Sequence, residues 1–453
     1  MANQILLSVL VPSRERADLL KFSLDSLEIE KNNIEVLVWV DDDDPQLPEY
    51  RKILDGNPQV KLFIKKRVGY NQHYEMMNFL AENSCGDWLF LWNDDCYMDN
   101  ANWYDKFINL ASLSNPKEEP IVYNLWGQGG ERNLFPIVNR KYYQLLGHIS
   151  ESPNWDAWIK RVAQLSRIHR HIFGIKPRHR KYAGDDKLGD LEDNTSKYVW
   201  SVMKSPDFNE IDKSIEAFTK DANIITDWIR NSTDRSTRVG FVGIGEQEFP
   251  VALAIESRGK NIMAYDVSPI VLQYIKEKEF PLKENRADEY IQYTKIETAD
   301  SIESIVNRSN LIFCTVQNPD GIQSGDIQSL QKIVYFDHSH LKKIITDVIK
   351  AADRLEEKTT LVIVTPCLPG TFNKVIKPLL SPKINLLYNP LFLSSETPIQ
   401  DFLNPKSVLI GSNNGDPTPL TNFYKIILGE DKSFICSIEA AEKLDKAISQ
   451  EQK

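Results

Sequence analysis

The sequence predicts two α/β domains, each built on a mostly parallel β-sheet and joined by a short polar, helical connection. Three observations carry this reading. Apolar runs of strand length alternate with amphipathic helical stretches in two separate blocks, which puts the domains at residues 1–204 and 238–453. Residues 205–237 are polar apart from one amphipathic helix, Ile211–Ile229, and run on through Asn231-Ser-Thr-Asp-Arg-Ser-Thr, so they read as a linker. The chain has 453 residues, enough for two or three domains with cores of their own.

Composition excludes several classes. With 54 Lys and Arg against 64 Asp and Glu, the formal net charge is −10, which argues against a protein that coats a polyanion. No run approaches the roughly 18 apolar residues of a membrane span. The apolar stretch Ile5–Val11 has no basic segment before it and runs into Pro12-Ser-Arg, as a buried strand entering a loop does. The 5 cysteines are scattered and lack metal spacing, so neither a disulfide framework nor a zinc site is expected. The expectation is a soluble cytoplasmic protein.

In the first block, strands Ile5–Val11, Ile34–Val40 and Trp88–Trp92 alternate with helical patterns at Ala17–Leu27 and Gln72–Asn83. The second strand ends in Asp41-Asp42-Asp43-Asp44, and Asn93-Asp94-Asp95 follows the third. Ligands of open α/β sheets sit beyond the carboxyl ends of the strands. Either acidic run alone reads as a solvated turn; as a pair they read as a site. Two such carboxylates suit a hard divalent ion, which would offset charge developing on a diphosphate leaving group.

Several segments resemble the family 2 glycosyltransferases of GT-A fold: Ser8-Val-Leu-Val-Pro-Ser-Arg, Val38-Trp-Val-Asp-Asp, Gly86-Asp-Trp-Leu-Phe-Leu-Trp-Asn-Asp-Asp and Phe135-Pro-Ile-Val-Asn-Arg-Lys-Tyr-Tyr-Gln-Leu-Leu-Gly. The resemblance spans about residues 5–175. It implies a GT-A nucleotide-diphospho-sugar transferase domain and a UDP-sugar donor, with Pro12, Arg14, Asp41, Asp42, Asp94 and Arg140 on the donor. It also implies Mn²⁺ or Mg²⁺ on Asp95; His171 or His169 is a candidate further ligand, against the commoner structural role of a lone histidine. The resemblance also implies Asp156 as the base. A carboxylate is needed there because an acceptor hydroxyl is a weak nucleophile until its proton is taken. The bland alternative for Asp156 is a first-turn helix residue favoured by the helix dipole.

Between Ile159 and Lys181 basic residues accumulate with no acid among them, including Arg167, Arg170, Lys176, Arg178, Arg180 and Lys181. One reading is a solvated face with an arginine or two on donor phosphates. The other is a polyanionic acceptor such as DNA, whose phosphates these side chains would neutralise. Phage enzymes that glycosylate hydroxymethylated bases offer an analogy of task. Together these readings give a metal-dependent, inverting glycosyltransferase, with glycan or lipid acceptors as the alternative to DNA.

The second block opens with Arg238-Val-Gly-Phe-Val-Gly. Gly243 and Gly245 follow a strand and open a helix, and Asp266 ends the next strand about twenty residues on, which is a Rossmann arrangement. Thr365-Pro-Cys-Leu-Pro-Gly-Thr, Tyr388-Asn-Pro-Leu-Phe-Leu and Val408-Leu-Ile-Gly resemble the N-terminal domain of UDP-glucose/GDP-mannose dehydrogenases. Departures accompany the match. Glu248 replaces the third glycine with Glu246 nearby, Leu391 stands where the resemblance implies a catalytic glutamate, and Cys367 and Cys436 lie outside the family's cysteine motif. The expectation is therefore a vestigial dinucleotide site in which NAD is doubtful, in a module kept for homodimerisation, docking or acceptor binding. A dehydrogenase, alone or bifunctional, is the alternative.

Overall fold

The computed structural model describes residues 7–125, 135–172, 174–179, 211–245, 248–279, 284, 287–315, 339–367, 369–394 and 396–451. The chain divides into two compact units, Met1–Asn231 and Ser232–Lys453.

The first unit carries strands β1 (Leu7–Ser13), β2 (Ile34–Asp41), β3 (Val60–Lys65), β4 (Trp88–Leu91), β5 (Cys96–Met98), β6 (Val122–Leu125), β7 (Ile137–Asn139), β8 (His169–Ile172) and β9 (Pro177–His179). Seven of them form one sheet in the order β3-β2-β1-β4-β7-β6-β8, and β5 pairs with β9 apart from it. β1 lies between β2 and β4 and is parallel to both. Every residue of β1, β2 and β4 is buried, as unbroken apolar runs require when both faces of a sheet are covered. The period-2 alternation sends Leu7, Val9, Val11, Val36 and Val38 to one core and Leu10, Leu37 and Trp39 to the other. β7 runs antiparallel to both β4 and β6.

The helix Ile211–Asn231, expected as a linker, is instead part of the first unit. Its apolar stripe, Ala222, Ile225 and Ile229, shares a core with Trp158, Ile159 and Val162 of the helix Trp155–Ser166. Trp158 Nε1 also donates to Asp221 at 3.0 Å. An amphipathic face of this kind must cover another apolar surface, and here it finds one in its own unit.

The second unit carries β10 (Arg238–Val242), β11 (Asn261–Tyr265), β12 (Glu297–Thr298), β13 (Leu311–Cys314), β14 (Thr359–Ile363), β15 (Ile384–Tyr388), β16 (Val408–Gly411) and β17 (Ser433–Cys436). Its sheet order is β12-β11-β10-β13-β14-β15-β16-β17. The first six follow the doubly wound order, which reverses between β10 and β13. Among its described strands only the β15–β16 pair is antiparallel. The strand expected at Ile333–Phe336 lies outside the described residues.

The helix Ile438–Glu451 closes this unit. Its Glu442, fully buried, accepts from the amides of Gly370 at 2.7 Å and Phe372 at 2.9 Å. Asp445 accepts from the Tyr388 hydroxyl at 2.6 Å. These bonds hold the Thr365–Phe372 loop against the sheet.

Candidate functional site

In the second unit the strand order reverses between β10 and β13, and ligands of open α/β sheets sit beyond the carboxyl ends of the strands at such a point. Gly243, at the carboxyl end of β10, has φ +90, and a Cβ there would stand 2.9 Å from the carbonyl oxygen of Thr315. Thr315 Oγ1 donates to the Gly243 carbonyl at 2.6 Å, and the Gly243 amide donates to Tyr265 O at 2.8 Å. Only glycine fits this turn. Gly245 O accepts from the Phe249 amide at 3.0 Å, starting the helix Glu248–Ser257. Asp266 follows β11, and its carboxylate accepts from Ile244 N at 2.9 Å and Ser268 N at 2.8 Å. The carboxylate thereby tethers the glycine turn to the end of β11. Each carboxylate oxygen retains capacity for a further donor such as a ribose hydroxyl. These residues fit a dinucleotide; Glu246 lies outside the described residues.

Leu391 packs on the core that includes Phe313, Leu387 and Phe402 and brings no acid to the crevice. The Cys367 thiol is pushed up to about 12 by burial and donates to the Thr365 carbonyl at 3.3 Å. It is an inert core thiol.

In the first unit, acids gather at the carboxyl ends of β1, β2 and β4. Asp94 accepts from Ser13 Oγ at 2.7 Å and from Arg16 Nη1 at 3.1 Å, and the same nitrogen reaches Asp95 at 3.3 Å. Burial raises the Asp94 carboxyl to about 6; Arg16 opposes the rise and Asp95 adds to it. Asp41 accepts from Arg14 at 3.0 Å and from Trp39 Nε1 at 3.1 Å. Asp42 is exposed, and Pro12 is buried in β1 opposite Trp39. Asp156, in the first turn of its helix, is raised by burial. Asp156 and Asp95 both act on the phenol of Tyr70, which burial already pushes up to about 12. His73 beside them is held near 4 by burial, and its Nδ1 accepts from Trp155 Nε1 at 3.2 Å.

Sequence reasoning missed Arg16, Ser13, Tyr50 and Tyr70. Arg16 was legible as a second arginine just past Pro12-Ser-Arg, facing two acids that need a cation. Tyr50, hydrogen-bonded to Ser13 at 2.7 Å, and Tyr70 leave no pattern in the sequence.

Other expected positions lie elsewhere. Arg140 follows β7, and because β7 is antiparallel it returns to the amino ends of the parallel strands, away from Asp41 and Asp94. There its guanidinium donates to the carbonyls of Ala81, Ser84 and Gly86 at 2.8–3.1 Å. It locks the end of the helix His73–Glu82 and is no donor contact. Replacing Arg140 with Met leaves those carbonyls without their donors. We expect a loss of about 2–4 kcal/mol by urea titration, with the Asp94 site unaltered; an unchanged midpoint would remove this structural role.

His171 sits in β8 against His169, and no group of three or more His, Cys, Asp or Glu able to hold a metal occurs among the described residues. Three of the described arginines of the basic segment are engaged within the fold. Arg170 is 3% exposed and 3.7 Å from Glu119. Arg178 pairs with Asp99 at 2.6 Å, and Arg167 caps its helix at φ 59 and donates to Gln164 O. Lys176 is exposed, while Arg180 and Lys181 lie outside the described residues. No described helix is long and apolar enough to cross a membrane.

Residues 237–427 match the UDP-glucose/GDP-mannose dehydrogenase family, NAD binding domain. The chain is 22% identical over 218 residues to UDP-glucose 6-dehydrogenase of Rickettsia prowazekii, covering 47% of each chain. It is 23% identical to GDP-mannose 6-dehydrogenase of Pseudomonas aeruginosa, covering 38% of this chain and 40% of the relative. A crystal structure of GDP-mannose dehydrogenase from Pseudomonas aeruginosa aligns at 21% identity with a TM-score of 0.41, over 48% of this chain and 50% of that one. The chain spans about half the length of the curated relatives it matches.

These matches overturn the expectation of a metal-dependent glycosyltransferase acting on DNA, glycan or lipid, since both the family and the named relatives are dehydrogenases. They also overturn the view of NAD as doubtful and of Mn²⁺ or Mg²⁺ as the cofactor, because the matching domain is an NAD-binding one. The error came from weighing short N-terminal motifs above the longer C-terminal match. The second unit carries a Rossmann domain of the UDP-glucose/GDP-mannose dehydrogenase NAD-binding type.

Proposed function

We propose that the chain is a nucleotide-sugar oxidoreductase of the dehydrogenase class whose second unit binds NAD. The observation that supports this most is the turn at Gly243, closed on Thr315 and tethered by Asp266, within residues that match the family's NAD-binding domain. When bound, NAD would supply the hydride acceptor for oxidation of a sugar hydroxyl. Gly243 leaves room for backbone approach to the pyrophosphate, and Asp266 offers its free lone pairs to a ribose hydroxyl. Leu391 contributes no proton acceptor, so the group that takes the hydroxyl proton lies elsewhere.

For the first unit, the proposal covers its architecture and its ligand. A nucleotide-diphospho-sugar fold of the GT-A type is supported by parallel β3-β2-β1-β4 with acids at their carboxyl ends. A sugar nucleotide is the ligand class proposed for Arg14, Asp41, Asp42, Asp94, Asp95 and Asp156. The test is NADH formation by absorbance with NAD and either UDP-glucose or GDP-mannose. We expect turnover with one of them. No NADH from either sugar nucleotide, in a protein that still binds NADH, would refute the oxidation.

A further inference from the structure

Asp94 and Asp95, just beyond β4, stand where the sequence calls for a divalent ion, and the fold puts part of the chain there instead. Arg16 comes immediately before the helix Ala17–Asp25. Its backbone is held from both sides: the amide donates to the Tyr50 hydroxyl at 3.0 Å, and the carbonyl accepts from the Leu20 amide at 2.8 Å. Tyr50 is itself fully buried and hydrogen-bonded to Ser13 Oγ at 2.7 Å. From this anchored position the Arg16 side chain, 11% exposed, reaches both acids with one nitrogen, Nη1, at 3.1 Å from Asp94 and 3.3 Å from Asp95.

Every carboxylate oxygen of the pair already faces a donor. Asp94 Oδ1 accepts from Arg16, and its Oδ2 accepts from Ser13 Oγ at 2.7 Å. Asp95 Oδ2 accepts from Arg16, and its Oδ1 accepts from the Cys96 thiol at 3.6 Å. A hard divalent ion binds carboxylate oxygens at about 2.0–2.6 Å and needs those oxygens turned to itself. It would also stand beside a guanidinium of like sign, among side chains that water screens poorly. The donor set therefore does not fit a metal while Arg16 is in place.

We infer that Arg16 is the resident cation of this acid pair: it holds the position of a divalent ion, so the first unit takes its ligand without one. The ligand half of this rests on the reading of that unit as a sugar-nucleotide site; the cation half does not. Removing the guanidinium leaves two buried carboxylates without a counter-charge, and a divalent ion is then the cation that can replace it.

The experiment follows thermal unfolding of the full chain in EDTA and in about 1 mM Mn²⁺, for wild type, Arg16→Met and Arg16→Gln. Methionine removes the charge and the donors. Glutamine removes the charge but keeps an amide donor for the acids, so it serves if the methionine variant does not fold. Mn²⁺ should raise the midpoint of the variants by roughly 3 °C or more, and that of wild type by about 1 °C or less. Equal shifts in wild type and variants, whether large or nil, would overturn the proposal. Calorimetric titration of wild type with UDP-glucose and with GDP-mannose, in EDTA and in Mn²⁺, tests the ligand half. The affinity for the one that binds should agree within about twofold between the two conditions, and a gain of about tenfold or more in Mn²⁺ would overturn metal independence. No binding of either sugar nucleotide in either condition would overturn the ligand half together with the sugar-nucleotide reading, while the melts still decide the cation half.

Discussion

Replacing Gly243 with valine is expected to abolish NADH binding and to lower the stability of the second unit. The residue has φ +90, so any side chain carries left-handed strain of about 1–3 kcal/mol. A Cβ would also meet the Thr315 carbonyl oxygen and Oγ1, both at 2.9 Å. The neighbouring atom is partly backbone of β13's continuation, so it cannot swing aside, and overpacking adds about 1–3 kcal/mol. The branched methyls of valine would further project into the space a pyrophosphate needs. We expect NADH affinity to fall by about a hundredfold or more, since each 1.4 kcal/mol is a factor of ten. A thermal melt alongside the titration separates the two effects. NADH binding that survives in Gly243→Val would place the dinucleotide somewhere other than this turn.

The largest loss of stability in the first unit is expected from Arg16→Met. Arg16 Nη1 is the cation shared by Asp94 and Asp95, and all three side chains are about nine-tenths shielded from solvent. Removing the cation leaves two buried carboxylates facing each other, which costs about 3–5 kcal/mol. The pH dependence has a definite sign. Asp94 is raised to about 6 with Arg16 present, and without that opposing charge it must rise further. A carboxyl raised in the folded state holds its proton more tightly there than when unfolded, so its contribution to stability grows as pH falls through the folded value. The deficit of Arg16→Met should therefore be greatest above about pH 6–7 and shrink towards pH 5. Adding Asp94→Asn should recover part of it. Urea titrations at these pH values test this; a deficit that is constant with pH would mean that Arg16 acts by packing alone.

Much of the scaffold was legible because the central strands of both sheets are parallel and buried. Continuous apolar runs at Ile34–Val40 and Trp88–Trp92 become β2 and β4 almost residue for residue, and Arg16 bridges the two acids just beyond β4. Arg140 was misread because strand direction is invisible in a three-residue apolar run: Ile137–Asn139 pairs antiparallel, and that reversal carries everything after it to the opposite end of the sheet. The Ile211–Asn231 helix was misread because polar flanks hid the partner surface around Trp158. Charge counting failed for Arg170 and Arg178, whose partners Glu119 and Asp99 lie far away in sequence. Glu248 was seen as an obstacle to pyrophosphate, but sequence alone could not show that burial raises its carboxyl to about 7. Function was misjudged at the level of the whole chain because two domains with sugar-nucleotide resemblances compete. The longer dehydrogenase match outweighs a string of short motifs.

The attachment of the Thr365–Phe372 loop to Glu442 has a consequence in time. The Gly370 amide and its acceptor are 72 residues apart in the chain, and Tyr388 and Asp445 are 57 apart. At about 5–20 residues per second of synthesis, the loop is made roughly 4 to 14 seconds before the carboxylate that will hold it. During that interval the strands β14 and β15 already exist, while the Gly370 and Phe372 amides of the loop between them lack their Glu442 acceptor. The second unit thus acquires its sheet before its latch.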